Sequence, residues 1–250
     1  MFDVKKTAVH RQQSAAKRLK FKKQNSKIKK RKYSKMTGLF ITFEGIDFCG
    51  KTTQAQKLTS YLKKKGHNVL LLREPGGDRI AEKIRKVLLS EKNSGMTPLA
   101  ELLLYEASRA QLTQRVIQPV LEEGKVVICD RYSDSTLAYQ GYGRGLDKKV
   151  IRYLNRISTF GLLPHLTILL DVPVETSFER RRKEKRKKDR LEKERFGFHQ
   201  SIREGYLEIA RKNKRRIEVV DGTDDVQKTW QKVKRVVDSF LTKSNRFLKK

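Results

Sequence analysis

The chain has 250 residues, long enough for one large domain or two small ones, and a hydrophobic content of 37% allows a buried core. No apolar run approaches the roughly 18 residues needed to cross a bilayer, and no apolar segment follows the basic start, so neither a membrane span nor a secretory signal is expected. The net charge of +31 is uneven: residues 1–35 hold 14 Lys/Arg against one acid, Asp3, and residues 178–196 hold 11 against five acids.

Residues 1–38 lack sustained hydrophobic periodicity and are rich in Lys, Gln and Ser, which predicts a basic, disordered extension. Met36 stands just before the first strand, so translation from Met36 would leave residues 1–35 out of the protein. A transit peptide fits less well, because Lys rather than Arg dominates. Nucleic-acid binding by this tail stays open beside the plainer reading of a solvated segment.

From residue 39 onward, strands and helices alternate. "LFITFEG" reads as a strand, and "KTTQAQKLTSYLKKKG" as a helix with Ala55, Leu58 and Leu62 on one face and Gly66 at its end. "NVLLLREPGG" is a second strand closing in a loop, and "RIAEKIRKVLL" is helical. Residues 97–124 read as one long or kinked helix. "KVVICDRY" is the third strand, residues 133–141 a short helix and residues 147–160 another. "HLTILLDV" is the fourth strand, "PVETSFERRR" opens a helix, "RRIEVVDG" is the fifth strand, and a last helix runs from about 225 to 241. Apolar strands alternating with helices predict an α/β fold, a parallel sheet of five strands with helices on both faces. The expected organisation is the extension 1–38, one domain over 39–242 and a basic tail over 243–250. Cys49 and Cys129 form no ligand pattern, and a reduced, cytoplasmic setting is the plain reading.

"GIDFCGKT", residues 45–52, fits G-x-x-x-x-G-K-[ST] between a strand and a helix, the context a phosphate-binding loop demands. Backbone N–H groups of Gly45, Ile46, Asp47, Phe48, Cys49 and Gly50, with Lys51, Thr52 and Thr53 at the helix start, would cradle the phosphates of ATP. Lys51 would reach the outer phosphates, and the Thr52 hydroxyl would ligate Mg²⁺. Asp130 ends an apolar strand, as an acid that orients Mg²⁺ or its water does. Arg131 beside it offers a fork for phosphate. A strand-end salt bridge from Asp130 is the competing reading.

Helical spacing adds a candidate base pocket. Tyr105 and Arg109 are four residues apart, so a ring could stack on a nucleobase while the guanidinium bonds its edge. A surface cation–π pair fits the same spacing. Ser135 with Tyr139, and Thr136 with Gln140, repeat it, suiting base or sugar contacts and equally a helix cap and polar face.

Taken in order, "FEGIDFCGKTTQ", "REPGG", "EKIRKVLL", "LLLYEASRAQ", "CDRYSDSTLAYQG" and "DRLEKE" resemble the thymidylate kinases of the bacterial type, over about residues 40–237. The resemblance implies a P-loop NTPase fold with a basic lid, dTMP as acceptor, ATP-Mg²⁺ as donor, dTDP as product and a homodimer. It implies that Asp47 meets the acceptor's sugar or phosphate, and that Glu74 and Arg85 shape the monophosphate site. Tyr105 would stack on thymine, with Arg109 at its carbonyl edge. Arg131 would stand between the two nucleotides' phosphates, and Ser135, Thr136, Tyr139 and Gln140 would line the thymidine pocket. Tyr139 would crowd the sugar 2′ position. The loop after the fifth strand, near Gly222 and Thr223, would pack the adenine.

Phe48 and Cys49 replace smaller residues common at these places in the family, and the bulk of Phe48 is expected to alter the acceptor-facing side of the loop. Some relatives also carry an arginine in this loop, and this chain does not. The run "FERRRKEKRKKDRLEKE", matching the lid over about 178–196, would then supply the missing charge, with Arg180, Arg182 and Arg186 as candidates. Most of its cations fit a solvated helix better, since only one or two can reach the phosphates. Three rivals remain. One is a kinase for another acceptor, such as dUMP, CMP or a nucleoside. The others are a nucleic-acid-binding P-loop protein and a P-loop scaffold without turnover.

Overall fold

Five apolar runs form five parallel strands: β1 (Leu39–Glu44), β2 (Val69–Arg73), β3 (Val126–Asp130), β4 (Leu166–Asp171) and β5 (Ile217–Asp221). Their order across the sheet is β2-β3-β1-β4-β5. The structure is a computed structural model that describes residues 36–184 and 189–243. The basic stretch 1–35, the candidate Arg186 and residues 244–250 lie outside the described residues. Contacts divide the chain into Met1–Thr37 and Gly38–Lys250, and the strands and helices belong to the second unit.

Every residue of β1 and β3 is buried. That is why these strands read as continuous apolar runs rather than as alternating ones. The core forms where α1 (Lys51–Lys64) and the last helix meet the sheet: Leu58 and Leu62 pack with Ile41, Phe43, Ile128, Val233 and Val237. Because all five strands run the same way, their charged last residues, Glu44, Arg73, Asp130, Asp171 and Asp221, gather along one edge. Ligands of open parallel sheets bind at that edge.

The helices between the strands are mostly where periodicity puts them. α2 (Arg79–Leu89) starts with Asp78 accepting from the Ile80 N–H. The predicted helix over 97–124 is continuous but uneven. α3 (Pro98–Leu112) runs through a wide π turn at Thr113–Ile117 into α4 (Gln118–Glu122). A second wide turn, Leu137–Gly143, extends α5 (Ser133–Thr136). Such turns insert a residue into the helical ladder and are common at functional sites. α6 (Lys148–Ser158) and α7 (Val174–Lys183) follow, and α9 (Val226–Lys243) closes the domain.

One helix went unread. α8 (Phe196–Lys212) follows the basic run, and its Ile202, Tyr206 and Ile209 are buried. Gly205 allows it to lie close on the Leu137–Gly143 turn, since a Cβ there would stand 2.5 Å from the Tyr142 ring. That close approach brings Tyr206 into the site.

Candidate active site

The loop after β1 has the backbone its sequence calls for. Gly45 sits at φ 139°, and a Cβ there would meet the Leu170 carbonyl oxygen at 2.5 Å. Gly50 sits at φ 96° and caps α1, whose first turn holds no acid. A helix N-terminus without acidic competitors favours an anion. Lys51 Nζ donates to the Ile46 carbonyl at 2.7 Å, folding the ammonium back over its own loop. A cleft of about 770 Å³ opens here, lined by loop residues 47–54 and by Arg73, Arg85, Asp130, Arg180 and Gly222. Phe48 adopts φ 57° and lines this cleft.

At the cleft floor, Thr52 Oγ1 donates to Asp130 Oδ2 at 2.5 Å. Asp130 Oδ1 is buried and has no hydrogen-bond partner among the described residues. Asp130 forms no salt bridge with a lysine or arginine among the described residues, against the strand-end salt bridge expected as an alternative; its paired oxygen goes to Thr52. No cluster of three His, Cys, Asp or Glu that could hold a metal occurs among the described residues. A hydroxyl, one carboxylate and nucleotide phosphates are instead the donors that suit Mg²⁺, which keeps few protein ligands. The residues present therefore fit the ion.

Arg131 is the hub. It follows β3 at φ 74°, a conformation an arginine seldom takes, with its N–H on the Phe43 carbonyl at 2.9 Å. Nη1 donates to the Gly45 carbonyl (3.0 Å), the Ser135 hydroxyl (3.2 Å) and the Tyr206 hydroxyl (3.2 Å). Nη2 donates to Asp47 Oδ1 (2.5 Å) and the Tyr139 hydroxyl (2.9 Å). Burial opposes both charges of the Arg131–Asp47 pair. For Asp47, the nearby Arg131 and Lys51 prevail and hold its carboxyl well below the usual carboxylate range. Tyr139 also donates to Asp47 Oδ2, at 2.7 Å.

Glu44 stands behind this hub. Its carboxylate accepts from the Tyr132 N–H (2.8 Å), the Ser135 hydroxyl (2.5 Å) and the Tyr206 hydroxyl (3.1 Å). Burial, and then Asp134, push its pKa up to about 7. Ser135, expected in the thymidine pocket, does line it, but its hydroxyl is committed to Glu44, Tyr206 and Arg131.

A second, smaller pocket adjoins Arg131, lined by Glu74, Pro75, Tyr105, Arg109, Ser135, Thr136, Tyr139 and Gln140. Tyr105, Arg109, Ser135, Thr136, Tyr139 and Gln140 meet there, whereas Asp47 and Arg85, also expected at the acceptor, line the larger cleft. Thr136 Oγ1 is buried with no partner among the described residues. Arg109 is not the surface cation–π partner of Tyr105. It is 1% exposed, and its guanidinium lies over the Tyr132 ring. Nε pairs with Glu74 (2.8 Å), Nη1 with Asn155 (2.9 Å) and Glu106 (3.2 Å), and Nη2 with the Tyr132 carbonyl (3.2 Å). Nε, Nη1 and Nη2 each donate one hydrogen bond, and Nη1 faces the Glu106 carboxylate as an ion pair, which leaves an Nη2 N–H for a ligand. Burial pushes Glu74 up to about 7 against the pull of Arg109, and its Oε1 is unpartnered among the described residues.

Arg73 and Arg85 both line the larger cleft. Both donate to the Pro75 carbonyl, at 3.1 and 2.8 Å. Burial, and then the charge of Arg73, lower the pKa of Arg85. Two crowded guanidinium groups at the mouth of a cleft suit a phosphate dianion. In the sequence, Arg73 appears only as the first residue of "REPGG", with no role assigned to it.

Of the lid candidates, Arg180 donates to the carbonyls of Gly222 (2.8 Å) and Thr223 (3.2 Å), the loop expected to hold adenine. Arg182 is exposed on α7. Within the basic run, Arg190 is buried and pairs with Glu101 at 2.6 Å while donating to the Leu88 carbonyl at 3.1 Å. Glu44, Tyr206, Arg73 and Glu101 are the site residues the sequence reading missed. Glu44 had a signal, an acid ending an apolar strand, the same one that marked Asp130.

A family model described as thymidylate kinase matches residues 43–233. A thymidylate kinase of Thermoanaerobacter sp. (strain X514) is 46% identical over 206 residues, covering 82% of this chain and all of that protein. The thymidylate kinase of Geotalea daltonii is 52% identical over 198 residues, 77% of this chain and 92% of the relative. The crystal structure of thymidylate kinase from Ehrlichia chaffeensis matches with a TM-score of 0.66 at 36% identity, covering 80% of this chain and 98% of that one.

Proposed function

The chain belongs to the thymidylate kinase family, and from that membership we propose how its cleft carries out the family's reaction. The protein phosphorylates dTMP to dTDP with ATP as donor. A phosphate oxygen of dTMP bonds to the γ-phosphorus as the bond from that phosphorus to the β,γ-bridging oxygen breaks, and ADP leaves. The acceptor is already an oxyanion, so no side chain has to remove a proton. The protein's contribution is position and positive charge.

The observation that carries this reading is Arg131, a guanidinium anchored both to the ATP loop and to the rim of the smaller pocket. In our reading the larger cleft takes ATP. The loop amides and Lys51 hold its outer phosphates, and Arg180 steadies the 222–224 loop against its adenine. The smaller pocket takes the nucleoside of dTMP, with its phosphate directed at Arg85 and Arg73. Tyr105 stacks on thymine, and the remaining Arg109 N–H, Thr136 and Gln140 meet its polar edge. Tyr139, fixed by Asp47 and Arg131, fills the room a 2′-hydroxyl would need, and Asp47 faces the sugar. Thr52 and Asp130 would hold Mg²⁺, whose charge would offset that of the phosphates. Arg131 lies where negative charge spreads over the equatorial oxygens, and Arg182 or Arg186 is assigned the second cation over them.

The test is ADP release by the full chain with Mg-ATP and dTMP, dUMP, dCMP, dGMP, CMP, UMP or thymidine. Strong preference for dTMP is expected. A faster reaction with another acceptor would overturn the pocket assignment.

We also assign the protein to the cytoplasm; among the described residues no helix is long and apolar enough to cross a membrane. We further assign a homodimer. Support comes from apolar side chains left exposed on neighbouring helices: Ile80 and Val87 on α2, Leu99 and Leu103 on α3, Tyr153 and Ile157 on α6. Sedimentation is expected to show a dimer that Leu103→Glu converts to monomer; a monomeric unaltered chain would refute the assignment.

A further inference from the structure

We propose that Glu101, which touches neither substrate, sets selectivity for thymine over cytosine by holding the side-chain amide of Gln140 in one orientation. This rests on the reading of the smaller pocket as the thymine site.

Glu101 lies on α3 with Tyr105 and Arg109 at four-residue steps, so all three share one helix face. Its side chain is 1% exposed. Oε1 accepts from Gln140 Nε2 at 2.8 Å and from Arg144 Nε at 3.2 Å. Oε2 accepts from Arg144 Nη2 at 3.2 Å and pairs with Arg190 Nη1 at 2.6 Å. Burial opposes the charge, but Arg144, Gln140 and Arg190 together hold the carboxyl below the usual carboxylate range.

An ionised carboxylate offers only acceptors. Gln140 can therefore turn only its NH₂ group toward Glu101, and its amide oxygen must face the other way. Gln140 lines the base pocket, and its Oε1 takes no hydrogen bond among the described residues. An acceptor at that edge bonds the N3–H of thymine. Cytosine presents a lone pair at N3, so two acceptors would face each other. A free glutamine amide has nearly the same shape either way round and would serve both bases. The carboxylate behind it removes that freedom. Arg190 pairs with the same carboxylate and helps keep it charged.

The readout is the ratio of kcat/KM for dTMP to that for dCMP, which does not depend on how much of a preparation is folded. It would be measured for the full chain, for Glu101→Gln, for Gln140→Met and for the double variant. Glu101→Gln is expected to narrow the ratio by roughly tenfold or more, Gln140→Met by a similar factor, and the double variant no further. A ratio unchanged within about twofold in Glu101→Gln overturns the role of Glu101, even if both rates fall together. Equal use of dTMP and dCMP by the unaltered chain instead overturns the pocket reading. Should Glu101→Gln not fold, the side-chain NH₂ resonances of Gln140, assigned by their loss in Gln140→Met, give a second measurement. Slow hydrogen exchange without nucleotide is expected, and rapid exchange overturns the orientation.

Discussion

Arg131→Ala is expected to lower kcat by roughly two or more orders of magnitude, with a smaller change in the KM for ATP. The guanidinium makes five hydrogen bonds that fix it between the ATP loop and the thymidine pocket. It is thus preorganised: little rearrangement is needed when charge builds up on the transferring group. Ground-state ATP has the loop amides and Lys51 as well, so the loss falls mainly on the transition state. The substitution also strips Asp47 of its closest cation, leaving a half-buried carboxylate with Lys51, the Tyr139 hydroxyl and His199. Some loss of stability follows, so circular dichroism must show a folded variant before the rate is read. Arg131→Lys separates charge from geometry. One ammonium cannot reach the Gly45 carbonyl, Asp47 and Tyr139 from one plane as the fork does, so turnover should stay far below that of the unaltered chain. Turnover of Arg131→Ala within tenfold of normal would sink the mechanism.

The parts of this site that could be read from the sequence are those where chemistry forces a local pattern. A phosphate loop needs glycines where Gly45 and Gly50 stand, because one abuts the Leu170 carbonyl and both adopt positive φ. An acid such as Asp130 ends an apolar strand only if the sheet edge gives it work. Tyr105 and Arg109 were legible as a pair because four-residue spacing is the helix's own. Their setting was not legible: whether Arg109 faced solvent depended on Glu74, Asn155 and Tyr132, from three other segments. The same holds for Tyr206. Its helix carries a usable signal, Phe198, Ile202, Tyr206 and Ile209 at helical steps, but it directly follows a run of eleven cations that reads as a solvated, lid-like segment. The wide turn at Leu137–Gly143 has no comparable signature; it sets Tyr139 and Gln140 in place through packing against α8 and the neighbouring helices. Glu101 was hidden by its neighbours, since in "PLAELLLYEASRAQ" it and Glu106 read as the polar face of an amphipathic helix until Arg144 and Arg190 are placed beside Glu101.

The second large effect is expected at Lys51. Lys51→Ala should lower kcat by roughly two or more orders of magnitude and, unlike Arg131→Ala, should also raise the KM for ATP markedly. Two losses combine. The first is the cation that meets the outer phosphates, in a cleft where no acid of the first turn of α1 competes for them. The second is the bond from Nζ to the Ile46 carbonyl, which ties the side chain to the loop that must present its amides inward. In the proposed complex that ammonium would leave its own loop for phosphate, so the same group would hold the loop when empty and the charge when full. Lys51→Arg tests whether charge alone suffices. A planar fork cannot occupy the narrow space between Ile46 and Cys49, where Nζ lies 2.7 Å from the carbonyl oxygen and 3.6 Å from the sulfur. Steady-state rates over a range of ATP concentrations decide the matter. An unchanged KM for ATP with a normal kcat would mean that the loop amides and Arg131 hold the phosphates without Lys51.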